Sequence, residues 1–297
     1  MFIQLTPPER FAALAETIAA QNSQPQTQCI HSGDQAKAIA AEMHHFHDEG
    51  RFIMWQAEQQ NELVGLLGGE LDEEMAFLWG PFVLAGEWDD VTTALWQQWQ
   101  SSLPPAITKQ AAFLHLKNER GRAFYQAQGF VEKQVAHIYV APRPEHTLPP
   151  SPQVRLFEER DAAAFTRLHD LIFAGTFETA DKAIAAINDE RRIFVYPEGD
   201  TILGYCYATS DSQDEGYIEF IGVDEAARGQ GVGKQLLLTA LHWLFTDKNM
   251  PQVGLTVLDF RTNAKKLYEA VGFKLLYTGV SLELKRETER LRDYETG

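Results

Sequence analysis

The chain has 297 residues, enough for two domains of ordinary size. Its 42 acidic against 26 basic residues give a formal net charge of -16, which argues against a nucleic-acid partner and suits a cationic small substrate. Cys29 and Cys206 fall in different halves, which fits a reducing compartment, and no basic leader or bilayer-length apolar run is visible, so a cytoplasmic protein with no membrane association is expected.

In chain order, apolar spacing predicts a helix from Pro8 to Ala20 and another from Asp34 to His47. His44, His45 and His47, near Glu42 and Asp48, invite a metal reading, but their spacing matches no compact zinc motif and a polar helix end accounts for them, so no metal is expected. Strands follow near Phe52 and Leu63 and from Met75 to Leu84, then a helix from Asp89 to Gln100. Trp79, Trp88, Trp96 and Trp99 sit at helix and strand spacing and read as core. The stretch 141–152 is so rich in proline that neither a helix nor a central strand should run through it. It divides the chain into 1–140, a linker 141–152, and 153–297.

Beyond the linker the pattern predicts a short strand from Gln153 to Phe157 and an amphipathic helix from Asp161 to Phe173, with Phe165, Leu168, Leu171 and Ile172 on one face. A helix from Asp181 to Asp189 and strands from Arg192 to Tyr196, Thr201 to Thr209 and Gly216 to Val223 come next. A helix from Val232 to Phe245, a strand from Val253 to Leu258 and a helix from Asn263 to Ala270, capped by Gly272, precede a final pair of strands between Lys274 and Leu284. Two fragments recur in the same order at a nearly constant offset. Glu62 to Leu67 resembles Thr201 to Cys206, and Phe124 to Phe130 resembles Leu267 to Phe273 at Tyr, Ala, Gly and Phe. A tandem duplication of one mixed-sheet α/β unit is the simplest reading.

The run Arg228-Gly229-Gln230-Gly231-Val232-Gly233 lies between a predicted strand and a predicted helix. Glycines let the backbone turn at positive φ and approach a ligand closely. The helix start offers unpaired N–H groups, so a diphosphate is the natural guest. With Ile221-Gly222-Val223-Asp224 before it and the segment from Asn263 to Phe273 after it, this loop resembles that of the GNAT superfamily of N-acetyltransferases over essentially all of residues 152 to 285.

The resemblance implies two tandem GNAT-like acyl-CoA N-acyltransferase domains in mixed α/β sheets, with acetyl-CoA as acyl donor and no metal. It implies that acetyl-CoA lies where the strands Gly216 to Val223 and Val253 to Leu258 splay apart. Ile221, Gly222 and Val223 would then meet the pantetheine and thioester, and Arg228, Gly229, Gln230, Gly231, Val232, Gly233 and Lys234 the pyrophosphate. Tyr268 would protonate the departing thiolate, Glu219 would relay the proton lost by the acceptor amine, and Asn263 would bond the pantetheine arm or cap its helix.

At the corresponding place the first half has Val83-Leu84-Ala85-Gly86-Glu87-Trp88-Asp89-Asp90, whose carboxylates suit a helix start but repel a diphosphate. That half is therefore expected not to bind CoA. The implied acceptor is a primary amine on a small molecule or peptide. A protein lysine or N-terminus, or a non-enzymatic acyl-CoA sensor or scaffold, are the rival readings. The tandem arrangement also resembles mycothiol synthase, a two-domain member of the superfamily that acetylates a cysteinyl amine, although no motif selects that acceptor. Pairing through the sheet edge of the second half would give a homodimer.

Overall fold

The computed structural model describes residues 1–146, 149–174, 176, 178–212, 215–258 and 262–285. The first half of the chain forms β1 (Phe2–Leu5), α1 (Phe11–Asn22), α2 (Ala36–Asp48), β2 (Phe52–Gln59), β3 (Glu62–Asp72), β4 (Met75–Val83), α3 (Trp88–Ser102), β5 (Lys109–His115), α4 (Glu119–Ala127) and β6 (Val131–Pro142). The second forms β7 (Arg155–Leu156), α5 (Ala162–Phe173), α6 (Ala180–Ala185), β8 (Arg191–Glu198), β9 (Thr201–Thr209) and β10 (Gly216–Val223). It continues through α7 (Val232–His242), β11 (Gln252–Leu258), α8 (Thr262–Glu269) and β12 (Lys274–Lys285).

These elements make two compact units, and the division in space differs from the division in sequence. Unit 1 is Met1–Val135 with the strand residues from Thr278 onward, and unit 2 is Ala136–Tyr277. In unit 1 the strands run β1-β2-β3-β4-β5, antiparallel except for the parallel pair β4 and β5, and β12 closes the row antiparallel to β5. Unit 2 repeats the arrangement as β7-β8-β9-β10-β11, with β10 and β11 parallel, and β6 closing antiparallel to β11. The last strand of each unit's sheet thus comes from the other half of the sequence.

Three expectations are corrected here. The residues from Lys274 to Leu284 form one continuous strand instead of a pair. Ala141 and Pro142, placed in the linker, end β6 and pair with Val253 and Gln252. Pro142 is tolerated because it is the last residue of its strand, where a missing N–H costs little. The helix expected from Asp181 to Asp189 is the shorter Ala180–Ala185, with the Thr179 side chain accepting from the Lys182 N–H at its start.

The repeated fragments repeat for physical reasons. A side chain at Gly65 would strike Val91 of α3, and one at Gly204 would strike the Gly222 carbonyl and Leu236 of α7, so both glycines let a helix lie close on the sheet. Gly129 and Gly272 take φ of 88° and 102°, and in each unit the next residue's N–H closes the helix on a tyrosine carbonyl: Phe130 on Tyr125 (3.0 Å) and Phe273 on Tyr268 (3.1 Å).

Unit 2 is a three-layer unit. Phe165 and Leu168 of α5 and Ala180 and Ala183 of α6 pack with Tyr205, Tyr207 and Phe220 on one face of the sheet. Leu236, Leu237, Ala240 and Leu241 of α7 pack with Ile218, Leu255 and Tyr268 on the other. Unit 1 has one continuous core that includes Trp79 and Trp99, with Trp88 and Trp96 packed against it. No helix among the described residues is long and apolar enough to cross a membrane.

Candidate active site

The parallel pairing of β10 with β11 is short: Gly216 faces Val253, Tyr217 faces Gly254, Ile218 faces Leu255, and there it stops. Both strands continue, β10 to Val223 and β11 to Leu258, so a wedge opens between them. The register of β10 against β9 shifts between Ile218 and Phe220, a bulge at Glu219 that bends β10 where the parting begins.

Past Val223 the chain turns through Glu225–Ala227, where the Asp224 carboxylate accepts from the Ala226 N–H at 2.9 Å, and reaches the glycines. Gly229 and Gly231 have φ of 78° and 83°, a region that side chains other than glycine enter only with strain. Gly231 is the residue before α7. Gln235 N–H donates to the Gly231 carbonyl (3.1 Å), so the amides of Val232, Gly233 and Lys234 stand ahead of the helical ladder and point out of the helix start. At Gly233 an added carbon would come within 3.1 Å of Leu267 and 3.5 Å of Val223, which explains why α7 can start so close to α8 and β10.

These elements enclose a cavity of about 940 Å³ lined by Ile221, Gly222, Val223, Arg228, Gly229, Gly231, Val232, Gly233, Lys234 and Tyr268 among the residues singled out in the sequence. Arg228 and Lys234 bring positive charge, and Asp224 and Glu225 negative charge. The Arg228 Nε lies 3.4 Å from the Val223 carbonyl. Tyr268 is 6% exposed, with its ring beside Tyr139 and Phe273 at centroid distances of 6.0 and 6.1 Å, so it is at once a packed helix residue and a cavity wall.

Two of the singled-out residues, Gln230 and Glu219, are not among the residues lining the cavity. Gln230 donates from Nε2 to the Ala226 carbonyl (2.9 Å), bracing the loop instead of lining it. Asn263 is the second residue of α8, and its side chain lies outside the described residues. Glu219 sits at the bulge outside the cavity lining, where Thr209 Oγ1 donates to its carboxylate at 3.0 Å. Burial pushes the Glu219 carboxyl up; the Thr209 hydroxyl opposes this, while nearby Glu178 and Asp211 add to it and Arg191 subtracts.

Sequence reasoning missed two features of this region. Glu178, whose Oε1 accepts from the Tyr207 hydroxyl at 3.3 Å, carries no motif and reads as a loop carboxylate. Leu168, Leu171 and Ile172 of α5 line the cavity. Leu171, on the apolar face read from the sequence, is 73% exposed. An exposed leucine on a cavity wall is the sign a ligand-covered residue would leave.

The family model described as "Acetyltransferase (GNAT) family" matches residues 155–273. Residues 155–273 are a GNAT-family acetyltransferase domain. Mycothiol acetyltransferase of Thermomonospora curvata is 30% identical over 142 residues, which is 45% of this chain and 48% of that protein. That of Rhodococcus erythropolis is 33% identical over 85 residues, 27% of this chain and 28% of that one. The chain thus spans about half or less of the length of the curated relatives it matches. In fold, a GCN5-related N-acetyltransferase from Sphaerobacter thermophilus superposes with a TM-score of 0.72 at 15% identity, covering 96% of this chain and 95% of that one. A tandem GNAT protein from the clavulanic acid biosynthesis pathway superposes with a TM-score of 0.59 at 13% identity, covering 96% and 98%. The tandem GNAT-like architecture therefore extends through unit 1 as well as the GNAT domain.

Unit 1 has the same strand parting, since β4 pairs with β5 only from Met75–Lys109 to Leu78–Ala112. The rest of the apparatus is altered. Only Gly86 turns before α3, whose first turn carries Asp89 and Asp90. Pro81 offers no N–H in the strand, and the Tyr125 hydroxyl, which stands where Tyr268 stands in the repeat, donates to the Gly80 carbonyl at 2.8 Å.

Proposed function

We propose that unit 2 transfers the acetyl group of acetyl-CoA to a primary amine of a small molecule or peptide, by direct attack in a ternary complex. The observation that carries the reading is the parting of β10 from β11 beside the glycine-turned start of α7. A strand edge for the pantetheine arm and a set of outward amides for the pyrophosphate meet there in one cavity. In this reading the amides of Gly229 to Lys234 and Arg228 hold the pyrophosphate, the β10 edge from Ile221 to Val223 pairs with the pantetheine, and an amide near Val223 donates to the thioester oxygen. Asn263 supports the arm, and Tyr268 returns a proton to the CoA thiolate. Unit 1, with carboxylates at its helix start, binds no CoA in this way, and no metal takes part.

An alkyl amine with a pKa of about 10.4 arrives protonated at neutral pH. Glu219, raised by burial and close to Glu178, is a carboxylate suited to take its proton through water, while the charge of nearby Asp211 is paired with Arg191 (2.7 Å). The relatives named mycothiol acetyltransferase support putting the cysteinyl amine implied by the resemblance to mycothiol synthase first in an acceptor screen.

Tyr268→Phe is expected to lower kcat about a hundredfold, within the range for loss of a general acid, while leaving acetyl-CoA affinity nearly unchanged. Calorimetry and steady-state rates check the pair, and an unchanged rate would remove Tyr268 from the chemistry. For Glu219 the sign of the shift gives a stability test. A carboxyl raised on folding favours the protonated form in the native state, so its contribution is present at low pH and is lost as pH rises from the unfolded value of about 4.3 through the raised folded value. Glu219→Gln should therefore raise Tm at neutral pH and match the wild type at pH 4 and below, and should abolish the acid limb of the kcat/KM profile. A lower Tm at neutral pH would contradict the burial argument.

A further inference from the structure

Unit 1 keeps the wedge, and the question is what fills it. Beyond Ala112, β5 has lost β4 as a neighbour, yet its edge there is not bare. Cys29 forms an antiparallel bridge with Leu114, and the His115 N–H donates to the Gln28 carbonyl at 3.2 Å. The same short segment reaches the other strand: the Cys29 thiol donates to the Leu78 carbonyl at 3.4 Å, at the last residue of β4 that still pairs with β5. The His31 ring lies against Phe77 of β4 (5.4 Å) and Phe113 of β5 (5.9 Å), so it spans the opening. The segment is itself tied down, since the Asn22 side chain accepts from the Cys29 N–H (2.8 Å) and donates to Ser32 Oγ (2.9 Å), and the Asn118 Nδ2 donates to the Gln28 carbonyl (3.2 Å). Cys29 and Ser32 are 0% exposed.

We infer that Gln28–Ser32 is an internal occupant of the unit 1 wedge: the chain's own backbone and a thiol-bearing side chain lie between the parted strands, on the β5 edge and at Leu78, in the counterpart of the space that the acyl-CoA reading of unit 2 gives to its ligand. The inference rests on that reading for the comparison, but not for the occupancy itself. It assigns to the segment between α1 and α2 the role of a fixed strap that fills the space between the parted strands of unit 1. The wedge of unit 1 is accordingly closed to CoA even if its acidic helix start were repaired.

Hydrogen exchange on the full-length protein, with and without acetyl-CoA at about a hundred times its Kd, tests this. Without ligand, the amides of Cys29 and His115 should exchange slowly, at the rate of the unit 1 core. On adding acetyl-CoA, the amides of Val232 to Lys234 should slow by about a hundredfold, as mass action requires of groups covered by a ligand at that excess, while Cys29 and His115 do not change. Fast exchange at His115 in the free protein, or slowing of Cys29 and His115 by acetyl-CoA, would overturn the strap. Absence of slowing at Val232 to Lys234 would instead count against acetyl-CoA binding by unit 2, and the ligand-free rates would still decide whether the segment is a fixed occupant. A second reading comes from Asp89→Asn/Asp90→Asn: calorimetry should still find one acetyl-CoA per chain, and two would overturn the inference.

Discussion

Replacing Gly231 by glutamate is expected to abolish acetyl-CoA binding in calorimetric titration, against one site per chain in the wild type. Gly231 precedes α7 at φ 83°, and the nearest atom to an added side-chain carbon is Gln235 Nε2 at 4.0 Å, so a longer side chain has room to enter the region of the outward amides. A carboxylate within about 4 Å of a diphosphate charge costs about 4 kcal/mol at an effective dielectric of about 20, roughly a thousandfold in Kd. Left-handed backbone strain adds about 1–2 kcal/mol for most residues. Gly231→Asn separates the two terms, because asparagine tolerates that conformation and carries no charge. It should retain binding within about tenfold. Equal loss in both variants would point to strain alone, and binding retained by the glutamate variant would move the diphosphate elsewhere.

The second large effect concerns folding. Residues 153–297 expressed alone should fail to give a cooperative thermal transition, although they contain the whole glycine loop. Unit 2 would lack β6, whose residues from Ala136 to Pro142 pair with β11 and whose Tyr139 and Ala141 are 3% and 2% exposed in the core. Burying a large side chain is worth about 1.5–3 kcal/mol and each sheet hydrogen bond about 1 kcal/mol net. The loss over this strand approaches the roughly 5–15 kcal/mol that keeps a domain folded. Co-expression of residues 1–148 with 149–297 should restore both folding and acetyl-CoA binding, because each fragment carries the closing strand of the other unit. A well-folded 153–297 fragment that binds acetyl-CoA would show that β6 is dispensable.

Legibility in the sequence followed the range of the interaction. The glycine loop and its neighbours could be read because positive φ, a helix start and a strand end are set by adjacent residues. Ten of the cavity-lining residues are therefore ones the sequence had already singled out, from Ile221 to Tyr268. The repeat was visible because Gly129 and Gly272 each answer a local demand, a positive φ at a helix end, and because Gly65 and Gly204 each leave the same room for a helix on the sheet. Strand exchange left no such mark, since the alternation in β6 is the same whichever neighbour it meets. Gln28–Ser32 was equally silent: a stretch too short for periodicity, whose partners Leu78, Leu114 and Asn118 are remote in sequence. The place of Leu171 was not legible because hydrophobic spacing identifies an apolar face without telling core from ligand wall.

The trading of β6 and β12 also bears on how such a chain arises and how it decays. Fusing two copies of a self-contained unit would leave each closing strand at home. Fusing two copies that already lent each other their last strand would yield this connectivity at once, so the single chain has the topology of a fused intertwined pair. In such a topology neither half of the chain can be removed without taking away a strand that pairs in the other unit's sheet.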